Sequence, residues 1–308
     1  MISAPPQPGV IQRGALALPT RLRRVGVRGT LHNLLVDWGA LAGTLLLLAV
    51  VAAAVLAPAL ASLSPTDSDL ARRLRPPLSP IPGVGTALLG TDQLGRDVLS
   101  RILFGARVSL VIGFVSVLIS AILGLGLGLL AGYRGGWVDD VVMRVADIQL
   151  AFPFILLAIA VVAVVGAGLQ NIIVVLGLAG WVLPARVVRA EVLSARERDY
   201  VQAARALGAS GWRIVRGHVA PSVLPSLVVT SSFAAAQMIV VESALSFLGL
   251  GVPPPTPSWG NMLSDGQNYL TSGWWVSAAP GVALMLTVLG INLLGDFLRD
   301  MLDPQLRT

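Results

Sequence analysis

Gly208-Ala209-Ser210-Gly211 and the following His218 bring a hydroxyl and an imidazole into one short stretch, the residue types that supply a nucleophile and its base. If the stretch were one helix, the eight residues from Ser210 to His218 would separate the two groups by about 12 Å along the axis. A working Ser–His pair needs about 2.6–3.2 Å. The spacing therefore argues against an intramembrane serine protease. Glu242 is a second candidate, an acid inside an otherwise apolar stretch. Placing such a group in a membrane costs roughly 2.5–3.5 kcal/mol, which makes it a functional candidate by default. Two readings stand for it: a structural pair or helix interface, or a place on a candidate translocation path together with Ser246. Arg144, Asp147 and Asp296 fall at helix ends, where snorkelling keeps the charge in water. Thr91, Asp92, Arg96 and Asp97 read as a solvated turn or a helix cap.

What is missing is as informative. All 22 basic residues are Arg, and the sequence has no Lys. A Walker A loop needs its Lys on the terminal phosphates, so the chain cannot hydrolyse ATP by that route. A Schiff-base chromophore or a Lys nucleophile is excluded for the same reason. With no Cys there is no thiolate chemistry and no disulfide. With only His32 and His218, and no HExxH pattern, a zinc centre is not expected. No metal site, cofactor site or catalytic residue is therefore assigned to the chain, and an energy source must lie in another molecule or an ion gradient.

The elements that must carry these residues follow from composition. Of 308 residues, 55% are hydrophobic and only 12% charged, with a mean hydropathy of +0.79. An ordinary soluble domain carries about 25% charged residues. Six nearly uncharged stretches approach the length needed to cross a bilayer, at 38–63, 108–133, 148–168, 171–185, 219–248 and 274–298. The reading is an all-α polytopic membrane protein with six transmembrane helices. Pro153 breaks the third stretch and Pro184 ends the fourth. Gly124, Gly126 and Gly128 mark the second as a tightly packed helix, since small residues let backbones approach in lipid. Pro253 to Pro257 end the fifth, because a proline ring removes a donor and clashes with the preceding turn. Trp259, Trp274 and Trp275 fit an interfacial aromatic belt. Residues 1–37 hold no early apolar core or small-residue cleavage site, so the first stretch reads as a retained helix.

Orientation follows from Arg. With the N-terminus inside, 16 of the 22 lie on cytoplasmic segments, and the other six (Arg72, Arg73, Arg75, Arg96, Arg101 and Arg107) fall in one long outer loop. Both termini are then cytoplasmic by the positive-inside rule, and the net charge of +6 needs no nucleic acid to explain it. The organisation expected is a cytoplasmic tail at 1–37, a first helix and outer loop at 38–107, a five-helix core at 108–302 and a short tail at 303–308. Residues 186–218 form a cytoplasmic segment of roughly thirty residues, far longer than the usual helix connection. Ala203, Ala204, Ala206 and Leu207 give it a small-residue helical run, Gly208 a turn, and Trp212, Ile214 and Val215 apolar contacts on a basic background. It is either a surface linker or a docking element.

That segment carries a resemblance. Gln202-Ala203-Ala204, then Gly208, then His218-Val219-Ala220-Pro221 resembles the EAA loop of bacterial ATP-binding-cassette importer permeases. Gln202 stands where that family usually has Glu, and Ala220 where Leu is common. The stretches 89–101 and 105–110, with 242–251, 253–260 and 295–304, resemble the second permease subunit of dipeptide, oligopeptide and nickel importers. The likeness runs over 38–307.

The resemblance implies the type I importer permease fold and a non-catalytic transport subunit. Gln202, Ala203, Ala204, Gly208, His218 and Pro221 would form the coupling loop that sits in a cleft of a separate ATPase. Its implied partners are a second, similar permease, two ATPases that bind ATP and Mg, an extracytoplasmic solute-binding protein and membrane lipid, in the bacterial inner membrane. Peptides are the implied cargo, with nickel or glutathione as alternatives in the same branch. A channel or secondary transporter is a different class. No TVGYG-like filter occurs, and the stretches carry few ionisable groups of the kind that relay protons.

Overall fold

The computed structural model describes residues 37–81 and 85–302. The C-terminal tail at 303–308 and the N-terminal tail up to residue 36, with His32, lie outside the described residues. Helix α1 (Trp38–Val55) begins where the Asp37 carboxylate accepts hydrogen bonds from the Gly39 and Ala40 N–H groups, at 2.8 and 3.1 Å. A short turn of helix, α2 (Ala57–Leu60), leads into a long loop, which contains an antiparallel hairpin, β1 (Ser79–Ile81) and β2 (Gly85–Ala87), pairing Ser79 with Ala87.

Helix α3 (Val98–Arg134) has 37 residues and starts ten residues before the apolar stretch that marks it in the sequence. At about 1.5 Å per residue it is some 55 Å long, against about 30 Å of hydrocarbon. Arg101 and Arg107 interrupt the hydropathy there but not the helix, because each is paired, as described below.

The third stretch is two helices. Gly135 and Gly136, both at positive φ, end α3 and open α4 (Gly136–Leu150). Pro153 then separates α4 from α5 (Phe154–Val165), and the two are bent by 88°. Twelve residues reach only about 18 Å. Among the described residues, five helices are thus long and apolar enough to cross a membrane, and six spans result if this bent pair counts as one.

The fourth stretch does not end at Pro184. Helices α6 (Leu169–Ala179) and α7 (Val182–Ala195) form one apolar run of 27 residues, with Pro184 in the first turn of α7. A proline is tolerated there because the first N–H groups of a helix have no internal partner. The chain continues through α8 (Asp199–Ala206), α9 (Gly211–Ile214) and a π-turn at Val215–Val219 into α10 (Ala220–Phe247). The last elements are α11 (Trp259–Gly266) and α12 (Trp275–Leu302).

Two of the five apolar clusters among the described residues position the site. One joins α3, α5, α6 and α10 through Ile112, Val162, Leu176 and Leu245. The other joins α7 to the 199–223 segment through Val188, Val192, Val201, Ile214 and Val223. Helix α3 lies against α7 along glycines four apart. A Cβ on Gly124, Gly128 or Gly132 would stand 2.5, 2.6 or 2.8 Å from Pro184, Ala185 or Val192, whereas one on Gly126 meets nothing within 4 Å. The packing face therefore has the period of a helix, and Gly126 is not part of it.

Candidate functional site

The segment between α7 and α10 is folded on its own core. In α8, Val201 and Ala204 face Val192, Ile214 and Tyr133, while Gln202, Ala203, Arg205 and Leu207 face outward. The Gln202 side chain donates to the Arg196 carbonyl at 3.2 Å, tying α8 to the end of α7. The helix closes in a Schellman turn: the Ala209 N–H donates to the Ala204 carbonyl at 3.1 Å and the Gly208 N–H to the Arg205 carbonyl at 3.0 Å. Gly208 sits at φ +79°, where a side chain would be strained, and the space in front of it is open. Beside it Leu207 is 88% exposed and Trp212 is 72% exposed. A rigid small-residue ridge flanked by two uncovered apolar side chains is the makings of a docking surface.

His218 lies in the π-turn and stacks on Tyr200, with ring centroids 6.2 Å apart. Its Nδ1 is buried without a hydrogen-bond partner among the described residues. Ser210 is exposed ahead of α9 and makes no hydrogen bond to His218, so the two do not form a nucleophile–base pair. Ala203 and Pro221 are exposed on the same segment.

Glu242 and Ser246 are elsewhere, and both side chains are buried within the chain. Glu242 has no accessible surface and Ser246 is 1% exposed. The carboxylate accepts hydrogen bonds from Ser109 of α3 at 3.1 Å, Ser243 at 3.3 Å and Ser246 at 2.8 Å. The backbone at Gly251 and Gly260 closes on this cluster so tightly that a Cβ would stand 1.9 Å from the Ser246 Oγ or 2.3 Å from the Ser243 carbonyl. The hydrogen bonds to Glu242 tie α3 to α10, the helix-interface arrangement of the two readings given for the acid.

The residues read as a solvated turn are buried as well. Asp92 accepts from the Arg96 Nε at 2.7 Å and pairs with Arg101, and both guanidinium groups reach Asp265 of α11 at 3.0 Å. Asp97 caps α3, accepting from the Ser100 N–H at 2.8 Å. Two of the three tryptophans read as an aromatic belt are anchors of this region instead. The Trp275 N–H donates to the Thr91 carbonyl at 3.1 Å and the Trp259 N–H to the Ile102 carbonyl at 3.2 Å, both rings being buried, while Trp274 stays exposed. Asp265 had no signal in the sequence, because its partners lie 169 and 164 residues away.

A family model, described as binding-protein-dependent transport system inner membrane component, matches residues 124–308. The chain belongs to this family. The matched range holds the 199–221 segment and its Schellman turn, together with α10 and α12. Among curated family relatives, the chain is 44% identical over 269 residues to the di/tripeptide transport system permease protein DppC of Pseudomonas aeruginosa, covering 87% of this chain and 89% of that one. It is 46% identical over 220 residues to the glutathione transport system permease protein GsiD of Pectobacterium atrosepticum, covering 71% and 73%. Among solved structures, an inward-facing form of the MetNI methionine ABC transporter aligns with a TM-score of 0.52 at 24% identity, over 66% of this chain and 96% of that chain. The fold is that of a type I ABC importer permease.

Proposed function

We propose that this family member forms, with a second and similar permease, the membrane path of an ATP-driven importer of di- and oligopeptides. An extracytoplasmic binding protein delivers the peptide, and two ATPase subunits bind and hydrolyse ATP with Mg on the cytoplasmic side. The chain itself does no chemistry. It resides in the bacterial inner membrane with both termini in the cytoplasm. The 199–221 segment is the element that receives the stroke of an ATPase. The observation that carries this reading is the exposed ridge of Leu207, Gly208 and Trp212 on a segment held rigid by Val201 and Ile214. The peptide cargo is supported by the likeness to DppC over most of both chains. Glutathione is the second reading, carried by the likeness to GsiD, and it is itself a small peptide.

The test separates docking from strain at Gly208. Gly208→Ala introduces the positive-φ penalty of roughly 1–2 kcal/mol with almost no bulk. Gly208→Trp adds bulk in a direction that no described residue occupies within 4 Å. With variants matched for membrane abundance, Gly208→Ala is expected to keep most ATPase co-purification and uptake, and Gly208→Trp to lose both. Full uptake and full ATPase recovery in Gly208→Trp would defeat the coupling role.

A further inference from the structure

A cavity of about 720 Å³ opens between α7, α10 and α12, on the face of α10 away from Glu242. It is within the range of about 300–1,000 Å³ typical of small-molecule sites. Its wall carries both signs of charge: Glu191 from α7, Arg198 from the start of α8, and Arg299 from α12. These charges do not neutralise one another. Arg72, Arg96, Arg101, Arg186, Arg189 and Arg196 all have acidic partners, but neither Arg198 nor Arg299 makes an ion pair among the described residues, and nor does Glu191. Opposite charges that share a cavity without closing on each other leave room for a ligand that bears both.

The floor between them is hydroxyl-lined. Ser222, Ser226 and Thr230 recur every four residues and so share one face of α10. Each hydroxyl proton is already used: Ser222 donates to the Val219 carbonyl at 2.8 Å, Ser226 to Glu191 at 2.9 Å and Thr230 to the Ser226 carbonyl at 2.8 Å. A hydroxyl that has given its proton still offers oxygen lone pairs, which suit the N–H groups of a peptide. The Ser226 bond occupies one oxygen of Glu191, and the other has no hydrogen-bond partner among the described residues.

We propose that this cavity holds a short peptide by its two ends on its way through the importer. The Glu191 carboxylate takes the ammonium end, the Arg198 and Arg299 guanidinium groups take the carboxylate end, and the α10 hydroxyls accept from the backbone between them. Two or three extended residues span about 7–11 Å, a length that a cavity of this volume accommodates. The site rests on the peptide-importer reading and deepens it, because it places end recognition in the permease as well as in the binding protein.

The test uses the complete importer, this chain with its partner permease and ATPases, purified nucleotide-free and without the binding protein. Three probes are measured: tritiated Ala-Ala, its N-acetyl form and its C-terminal amide. Loss of one charge-assisted hydrogen bond weakens binding about tenfold or more. Glu191→Gln is therefore expected to weaken Ala-Ala and the amide about tenfold and leave the N-acetyl form unchanged. Arg198→Gln and Arg299→Gln are expected to weaken Ala-Ala and the N-acetyl form and leave the amide unchanged. Equal weakening of all three probes, or parental affinity throughout, overturns the site. So does loss of the ATPases from the Arg variants with peptide binding intact, since the cavity would then be a docking contact. A parental importer that takes up no peptide in vesicles supplied with its binding protein fails the importer reading itself, and this site falls with it. Peptide uptake by the parent, with variants that bind like the parent, fails this site alone.

Discussion

At the scale of single residues, the buried polar groups of this chain hold helices together. Glu242 receives hydroxyl bonds from Ser109, Ser243 and Ser246, joining α3 to α10 where lipid offers no alternative donors. Glu242→Ala removes the shared acceptor and strands those hydroxyls, a loss of about 1–3 kcal/mol for an unsatisfied buried partner. Glu242→Gln keeps an acceptor oxygen and is expected to lose less. Thermal unfolding in detergent is expected to rank the parent above Gln and Gln above Ala, with uptake per folded importer unchanged in all three. Reduced uptake in Glu242→Gln at parental stability would instead place the acid on the translocation path. The sequence could show that an acid stood in an apolar stretch. It could not show that three serines and two close-packed glycines had enclosed it, because those partners come from three separate segments.

At the scale of elements, long helices were legible and their ends and faces were not. Hydropathy marks what lipid will accept, so the cores of α1, α3, α10 and α12 stood out. The first ten residues of α3 did not, since a paired Arg101 looks in a sequence like any exposed charge. The 88° bend between α4 and α5 was visible as Pro153 but not as an angle. The glycines of α3 were legible as a packed surface, and the structure selects which of them pack. Gly128→Ala pushes a methyl group to 2.6 Å from the Ala185 carbonyl, while Gly126→Ala meets nothing. Overpacking of this kind typically costs about 1–3 kcal/mol. Gly126→Ala is expected to be neutral or to gain up to about 1 kcal/mol from helix propensity. Unfolding in detergent reads the contrast directly. Equal stability of the two variants would mean that α3 and α7 do not share this face in the folded protein.

At the scale of the whole molecule, the decisive quantity is where charge is free and where it is held. The stretch between α1 and the apolar part of α3 carries six Arg that stand against the positive-inside tally. In the structure Arg72 pairs with Asp69, Arg96 and Arg101 share Asp92 and Asp265, and Arg107 donates to the Ala54 and Val55 carbonyls. Arg73 lies over the Tyr269 ring at 5.8 Å. Arg198, Arg205, Arg213, Arg216 and Arg299, at the other end, are exposed and make no ion pair among the described residues. The positive-inside rule counts Arg and gives Asp and Glu little weight, so the expected orientation rests on the tally of 16 to 6 and is best measured directly. The chain has no Cys, which makes the orientation measurable with one introduced thiol at a time. Thr271 lies between α11 and α12 and Ser210 between α8 and α9, and both are exposed. With an impermeant thiol reagent on intact spheroplasts, Thr271→Cys is expected to label and Ser210→Cys to label only after permeabilisation. The reverse pattern would turn the molecule over, placing the Leu207–Trp212 ridge outside and out of reach of any cytoplasmic ATPase.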